Sequence, residues 1–424
     1  MDSLSPLFPV LIILTSLLLV AFWVNKQAHL PKNISVLFIV QPLVGASMPI
    51  MVFIGGIVSK KMASDPSLVT LPLGLTVAGV ASATIPAAYL AHKIGRRNAT
   101  IVGMTSSVIG SLLAGLAIMQ NNFMLFCVAG YLLGVTVAFI QQLRFAAIES
   151  VKQEKDINKA LSVLMFAGLF SAFLGPEVAM FGKTLFADTV GFSGAFFVLA
   201  FMVVVSMIIM LKFQNTDTQE NQQNDSNRPL LQIIKQPIFI ISVVAAALSY
   251  GLMSYIMTST PLSMHQVHHH SLSDTKWVIQ SHIAAMFIPS LITTWLSNKI
   301  GIKNILFIGS SLFAVVLVIA TQGHSVLHYW WALIILGIAW NFLFFSGTSL
   351  LHFSYKPHEK YKVQAVNDFS VFTFQGASSL MAGWVLFNYG WNGVIISAIP
   401  FVIVMFAISI YYTIYCKRTK ELCN

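Results

Sequence analysis

The sequence predicts an all-α integral membrane protein: a bundle of twelve transmembrane helices in two six-helix halves, plus one extra N-terminal transmembrane helix. Three observations predict this fold class. The chain contains thirteen apolar runs long enough to cross a bilayer, it carries few charges, and its two halves share a repeated sequence pattern.

The composition excludes an ordinary soluble protein. Of the 424 residues, 57% are hydrophobic and 9% are charged, and the mean hydropathy is +0.80. Soluble domains carry about 25% charged residues. A net charge of +10 would indicate a nucleic-acid partner only if the basic residues formed a patch. The three cysteines have no CxxC or other metal-ligand spacing, so we expect no cofactor and no metal centre.

The apolar runs define the predicted elements, because about 20 apolar residues span a bilayer. They are 7–24, 34–58, 69–91, 99–119, 123–147, 160–184, 190–212, 238–260, 276–298, 303–321, 328–351, 365–387 and 391–415. Residues 213–236 are polar and lack apolar periodicity, which predicts a solvated linker. The predicted organisation is an extra helix with its connection (1–33), an N-terminal half (34–212), the linker (213–237), a C-terminal half (238–416) and a tail (417–424).

The basic residues indicate the orientation, since loops rich in Lys and Arg stay cytoplasmic. If the run 34–58 begins inside, 20 of the 24 basic residues lie on the cytoplasmic side. The linker and the C-terminus are then cytoplasmic. This distribution also argues against nucleic acid as the reason for the net charge.

An internal repeat supports two homologous halves. The segment LAHKIGRRN (90–98) recurs as LSNKIGIKN (296–304), and EKDINKA (154–160) recurs as EKYKVQA (359–365). The run 7–24 has no counterpart at this offset. It also lacks the basic start and the cleavage site of a signal peptide, so we predict an additional span.

The basic loop after the second helix of the body resembles the loop signature of the major facilitator superfamily. The resemblance to this family extends over residues 34–415. Lys93, Gly95, Arg96 and Arg97 match that signature, while Ala88 and His92 replace its Gly and Asp. The Gly175-Pro176 pair partly resembles the antiporter motif of the family. Other segments are similar to a bacterial subgroup. The resemblance implies a central cavity between the halves that opens alternately to each side, in a bacterial inner membrane.

Ionisable residues inside the apolar runs are candidates for proton coupling, because a charge in hydrocarbon costs about 3 kcal/mol or more. Glu177 and His282 both lie in the predicted outer third of their helices. The resemblance implies that these two helices face one another, so the two groups could titrate together. The alternatives are a surface pair between Glu177 and Lys183, and a His282 that is bonded to a backbone carbonyl.

The predicted substrate cavity is lined by polar side chains. Near mid-depth these are Gln41, Tyr250, Asn341 and Gln375, and near the cytoplasmic end of their helix they are Gln141 and Arg144. Arg144 could bind an anionic solute, pair with Glu149, or extend to the membrane interface. The aromatic residues could instead serve helix packing.

An inner latch is predicted around the basic loop. Asp368 could replace the missing loop carboxylate and pair with His92, Arg96 or Arg97, which would hold the outward-open state. The alternative is a carboxylate that caps the start of its helix. The histidines 265, 268, 269 and 270 in an outer loop could bind a transition metal, but no second cluster completes a site.

The predicted function is secondary active transport of a small organic solute, coupled to protons, by a monomer in a lipid bilayer. Export is favoured, because of the Gly-Pro helix. The alternatives are uptake of a metabolite or of a metal chelate such as a siderophore, an intramembrane enzyme, and a non-transporting sensor. We do not predict an enzyme, since the chain has no HExxH, GxSxG or P-loop motif.

Overall fold

The computed structural model describes residues 7–27, 30–151, 154–183, 185–186, 190–215, 228–356 and 359–419, and some side chains within these ranges, including that of His92, lie outside the description. The described residues form helices and connections, with no strand among them. By length and composition, ten described helical segments could cross a membrane. The all-α membrane class predicted from sequence is therefore confirmed.

The chain divides into two compact units, Met1–Gln219 and Glu220–Asn424. The helices of the first unit are α1 (Leu7–Gln27), α2 (Lys32–Gly45), α3 (Ser47–Ile50), α4 (Gly56–Met62), α5 (Leu71–Met119), α6 (Phe123–Gln141), α7 (Leu143–Ser150), α8 (Glu154–Gly182) and α9 (Ser193–Met210). Those of the second unit are α10 (Leu230–Ile234), α11 (Pro237–Pro261), α12 (Leu272–Phe287), α13 (Ser290–Ile300), α14 (Ile302–Thr321), α15 (Val326–Leu351) and α16 (Lys360–Thr419).

Two long elements are each a pair of helices joined at a glycine. Within α5, Gly95 has φ 81° and ψ 157°, and within α16, Gly390 has φ 69° and ψ −176°. A continuous α16 of 60 residues would be about 90 Å long, three times the thickness of the hydrocarbon core. The turn at Gly390 therefore separates the two runs predicted at 365–387 and 391–415.

The repeated loops have the same backbone geometry in both units. Gly95 has φ 81° and ψ 157°, and Gly301, its match in the repeat, has φ 83° and ψ 151°. A side chain would strain this positive φ, so glycine is required at both places. The shared turn supports the internal repeat found in the sequence.

Three of the predicted spans, 34–58, 123–147 and 276–298, were wrong as single helices. Residues 276–298 divide into α12 and α13, with a turn at Ile288 and Pro289. Proline has no N–H, and its ring clashes with the carbonyl four residues earlier, so the helix breaks there. The run 123–147 is likewise interrupted, because α6 ends at Gln141 and α7 begins at Leu143.

The ends of the polar linker are docked on the helices, which corrects the prediction of a wholly solvated segment. At its start, Gln214 exchanges two hydrogen bonds with the side chain of Asn33 (2.8 and 3.0 Å). Near its end, α10 buries Ile233 completely against Phe239 and Val363. The sequence LLQII is too short to show periodicity, which is why the linker prediction missed this contact. Residues 216–227 lie outside the described part of the chain.

Glycines set the closest helix contact in the first unit. A Cβ placed on Gly134 of α6 would lie 1.8 Å from the carbonyl oxygen of Thr76 on α5. A Cβ on Gly79 would lie 2.2 Å from the carbonyl oxygen of Tyr131. The two backbones are therefore in direct contact along this seam, as is common between membrane helices.

The extra helix α1 packs along the first unit, against α2 and α8. It buries one stripe, composed of Val10, Leu17, Ala21 and Val24, while Phe8, Leu19 and Trp23 are exposed. A helix with one buried stripe and an apolar remainder fits the side of a membrane bundle.

Candidate functional site

The first unit contains an interrupted helix that packs on α8. Helix α2 ends at Gly45, α3 covers four residues, and a π-helical turn spans Met51–Gly55 before α4 begins. A Cβ on Gly45 would lie 3.0 Å from Oγ of Ser171, and one on Gly175 would lie 2.7 Å from Cβ of Pro49. The interrupted helix is thus in direct contact with α8, which carries the Gly175-Pro176 pair.

Polar atoms on this interrupted helix have no partner within the described part of the chain. Oε1 of Gln41 and Oγ of Ser47 are both buried without a hydrogen bond. Buried polar groups almost always have partners, so such atoms near the middle of a membrane helix indicate where water or a solute binds. Gln41 was predicted as a cavity residue.

Glu177 lies directly after Pro176, in the last two turns of α8, and is partly buried. This position is near the C-terminal end of α8. Lys183, the surface partner considered for it, places its ammonium 5.8 Å from the centre of the Phe192 ring.

Arg96 is held by its own unit. Its guanidinium donates two hydrogen bonds to the carboxylate of Glu149 (3.0 and 2.6 Å) and a third to Oε1 of Gln142 (3.0 Å). Both charged side chains are about four-fifths buried. The loop is further fixed by Asn215, which accepts a hydrogen bond from the backbone N–H of Arg97 (2.9 Å). From the sequence we had proposed Arg144 as a possible partner of Glu149, and the pairing with Arg96 was not predicted.

The other predicted residues of this region lie near the end of α6. Gln141 is its last residue and is exposed, and Arg144 is partly buried on α7. The side chain of His92 lies outside the described residues.

Asp368 does not cap its helix. Helix α16 begins at Lys360, five residues before the predicted start, so Asp368 lies more than two turns inside it. The free backbone N–H groups belong to the first turn, so the capping interpretation was wrong. Asp368 accepts a hydrogen bond from Nδ2 of Asn367 (3.0 Å).

In the second unit, Asn341 braces the break between α12 and α13. Its Nδ2 donates to the carbonyl oxygen of Met286 (2.8 Å) and to Oγ of Ser290 (2.7 Å). Its Oδ1 accepts from Oγ1 of Thr293 (2.8 Å). The buried amide is therefore used to satisfy the backbone and hydroxyl groups around Pro289.

His282 is completely buried on α12. Its Nδ1 donates to the carbonyl oxygen of Leu333 (2.7 Å), which is the backbone bond considered as the alternative to proton coupling. Within the described structure, its Nε2 has no hydrogen-bond partner.

An aromatic cluster, composed of Tyr250, Trp340, Phe344 and Phe372, lies near the middle of α11, of α15 and of the part of α16 that precedes Gly390. The ring of Tyr250 meets the other three edge-on at 5.2, 5.4 and 5.9 Å, and Trp340 stacks on Phe344 at 5.1 Å. Gln375 lies one turn beyond Phe372 and is buried. The sequence pointed to Tyr250 and Gln375. It did not point to Phe344 or Phe372, although the spacing of Trp340 and Phe344 places both on one helix face.

The loop histidines bond to the backbone and to each other. Nδ1 of His265 donates to the carbonyl oxygen of His270 (2.9 Å), and Nε2 of the His270 ring donates to the carbonyl oxygen of His324 (2.6 Å). His268 stacks on His324 at 4.1 Å, and burial, together with the charges of its neighbours, lowers the pKa of His268. Among the described side chains, no group of three or more potential metal ligands occurs.

Comparison with known proteins gives matches over most of the chain. The profile of the family described as Major Facilitator Superfamily matches residues 36–372 and 244–421. A riboflavin transporter, RfnT, from Brucella anthropi is 36% identical over 363 residues, which cover 85% of this chain and 90% of the relative. An uncharacterised transporter, YddS, from Bacillus subtilis is 27% identical, over 92% of each protein.

Solved structures show the same fold. The crystal structure of the nucleoside transporter NupG superposes with a TM-score of 0.71, covering 89% of this chain and 99% of that structure. Its sequence identity is 12%, so this likeness concerns the fold alone.

Proposed function

Because the chain belongs to the major facilitator superfamily, we propose that it is a secondary active transporter whose substrate is riboflavin. The observation that supports this substrate is the 36% identity with a riboflavin transporter, which extends over nine-tenths of that relative. The family and the relatives are transporters, as predicted, and not enzymes. The chain is a multi-pass membrane protein, and we propose that its linker and C-terminus are cytoplasmic.

We propose solute-binding groups in each unit separately. In the first unit we propose that Gln41 binds the solute, together with Gln141 at the end of α6 and Arg144 on α7. In the second unit we propose Tyr250 and Gln375, and we assign a supporting role to Asn341, since its amide is engaged around Pro289. Mid-depth polar groups on interrupted helices are typical of transporter binding sites.

Transport of riboflavin tests the substrate. Proteoliposomes that contain the purified protein should accumulate or expel radiolabelled riboflavin in response to an imposed pH gradient, and empty liposomes should not. The Gly175-Pro176 pair favours export, and uptake is the alternative. Right-side-out and inside-out vesicles, compared under the same gradient, decide between the two directions. Absence of riboflavin movement in either direction would reject this substrate.

Proton coupling is proposed for Glu177, with His282 as a second group. Glu177→Gln keeps the size of the side chain but cannot exchange a proton, so the response to the pH gradient should be lost while riboflavin exchange at equal pH persists. Asp65→Asn, on an exposed connection, is the matched control and should behave as the wild type. A Glu177→Gln protein that still follows the gradient would reject the coupling role.

We also propose an inner latch around the basic loop. Because Arg96 is already engaged by Glu149, we propose Arg97 and His92 as the groups that Asp368 attracts in the outward-open state. Asp368→Asn should lower the transport rate, and the double exchange Asp368→Arg with Arg97→Asp should restore part of it. Normal transport by Asp368→Asn would reject the latch.

A further inference from the structure

The aromatic cluster of the second unit contains an indole without a hydrogen-bond partner. Trp340 is 6% exposed, and its Nε1 is buried with no acceptor in the described part of the chain. Trp391, in the same unit, shows the usual arrangement, because its Nε1 donates to the carbonyl oxygen of Ala320 (2.9 Å). A second indole without an acceptor among the described residues, that of Trp330, lies near the start of α15. Trp340 lies in the middle of α15, where hydrocarbon surrounds the bundle.

Two hydroxyl groups beside the cluster are also without partners. Ser254 and Thr258 follow Tyr250 at intervals of four residues, so the three side chains lie along one face of α11. Both hydroxyl oxygens are buried and make no hydrogen bond to the described residues. Tyr250 is level with Trp340, because their rings are in contact, and Ser254 therefore lies about one turn, roughly 6 Å, away along the helix.

Packing alone does not explain this combination. Some buried polar groups of the second unit are paired, as in the bond between Ser242 and the carbonyl oxygen of Gly347 (2.6 Å). Others in the described part of the unit are unpaired singly, among them Nε2 of His282 and Oγ of Ser346. The cluster instead brings together aromatic faces, one unused N–H donor and two unused hydroxyl groups at mid-depth. An unpaired buried donor is costly, so a ligand that supplies an acceptor there gains affinity.

We propose that this cluster is the subsite for a flat aromatic heterocycle. The ring system would stack against the aromatic side chains, and a carbonyl oxygen or ring nitrogen at its edge would accept a hydrogen bond from Nε1 of Trp340. The hydroxyl groups of Ser254 and Thr258 would bond to further edge atoms. The inference rests on the proposed function, since the isoalloxazine ring of riboflavin has this chemistry, and it assigns recognition to the ring rather than to the ribityl chain.

Binding to the purified full-length protein in detergent tests the subsite, with riboflavin, lumichrome (the ring without the ribityl chain) and ribitol as probes. The wild type should bind riboflavin and lumichrome but not ribitol. Trp340→Phe keeps an aromatic face and removes the N–H, and it should weaken binding of both ring compounds about tenfold. Trp331→Phe, an exposed indole on the same helix, is the matched control and should leave both dissociation constants unchanged.

Ser254→Ala is a second variant. A purely structural role of this hydroxyl group would not produce the two effects expected of it. Removing a buried hydroxyl that has no partner should leave the melting temperature of the ligand-free protein unchanged or higher, yet weaken lumichrome binding severalfold. Wild-type affinity in both folded variants would overturn the subsite, and so would a wild type that binds ribitol but not lumichrome.

Riboflavin transport, measured separately, distinguishes the two proposals. A protein that transports riboflavin, but whose Trp340→Phe and Ser254→Ala variants bind it normally, keeps its proposed function and loses this subsite. A protein that transports no riboflavin, but binds lumichrome in a way that depends on Trp340, loses the proposed substrate and supports the subsite.

Discussion

The carboxylate of Glu359 fixes the end of the linker to the second unit, and its replacement by an amide is the perturbation with the best-defined outcome. Glu359 is fully buried and accepts hydrogen bonds from Nε and Nη2 of Arg228 (2.9 and 2.5 Å). It also accepts from the backbone N–H groups of Arg228 and Lys356 (3.2 and 3.0 Å). Glu359→Gln removes the charge and turns an NH₂ group toward these donors.

The magnitude follows from the pKa of Glu359, which the hydrogen bond from Arg228 lowers from 4.5 to about 2. At about 1.4 kcal/mol per unit, this shift corresponds to at most about 3 kcal/mol. Solvent screens the pair, because a third of the Arg228 side chain is exposed, so we expect about 1–2 kcal/mol. For a chain of 424 residues, this loss should lower the melting temperature by about 1–2 °C at pH 7.

The dependence on pH identifies the carboxylate as the cause. A lowered pKa means that the stabilisation is complete above pH 4.5 and is lost as the pH falls toward about 2. Differential scanning fluorimetry of wild type and Glu359→Gln in detergent should therefore show a difference at pH 7 that shrinks by pH 3. The control is Asp274→Asn, a surface carboxylate bonded to Ser271 in the same unit, which should have little effect. Equal melting temperatures at pH 7, or an undiminished difference at pH 3, would refute the reasoning.

Two further substitutions test the packing of each unit. Gly134→Val should cost about 3 kcal/mol or more and sharply reduce the yield of folded protein, because its Cβ would overlap the carbonyl oxygen of Thr76. Gly55→Ala should be tolerated, because its Cβ would lie 3.5 Å from Cε of Met51, and equal yields of the two variants would contradict the close helix contact. In the second unit, Asn341→Leu should lower the free energy of unfolding by about 2–4 kcal/mol in chemical denaturation, because it leaves the buried partners of Asn341 unpaired. Asn388→Leu, at an exposed position, should not lower it. Similar denaturation midpoints for these two would exclude the bracing role.

Elements defined by composition were predicted well from the sequence. The runs at 303–321 and 328–351 match α14 and α15 to within two residues at each end. Such helices are easy to predict, because a segment that crosses hydrocarbon must be apolar and must form its backbone hydrogen bonds within itself. The repeat was also visible in the sequence, because the backbone at Gly95 and at Gly301 has a positive φ that favours glycine.

Helix breaks and polar contacts were harder to predict from the sequence. Pro289 interrupts α12 and α13, whereas Pro86 and Pro176 lie inside continuous helices, so proline alone does not decide where a helix ends. At the break, the side chain of Asn341 supplies the missing bonds from a helix about 50 residues away. A local reading of the sequence contains no information about that partner.

By itself, the sequence determined that this protein spans a membrane many times, that its halves are related, and which family it resembles, because these properties depend on composition and on short motifs. Only the tertiary structure decided that Arg96 pairs with Glu149, that Glu359 anchors the linker, and that Trp340 has no acceptor. The physical reason is that hydrogen bonds and ion pairs depend on the rotation and register of packed helices. A change of one residue in either would assign each polar group a different partner.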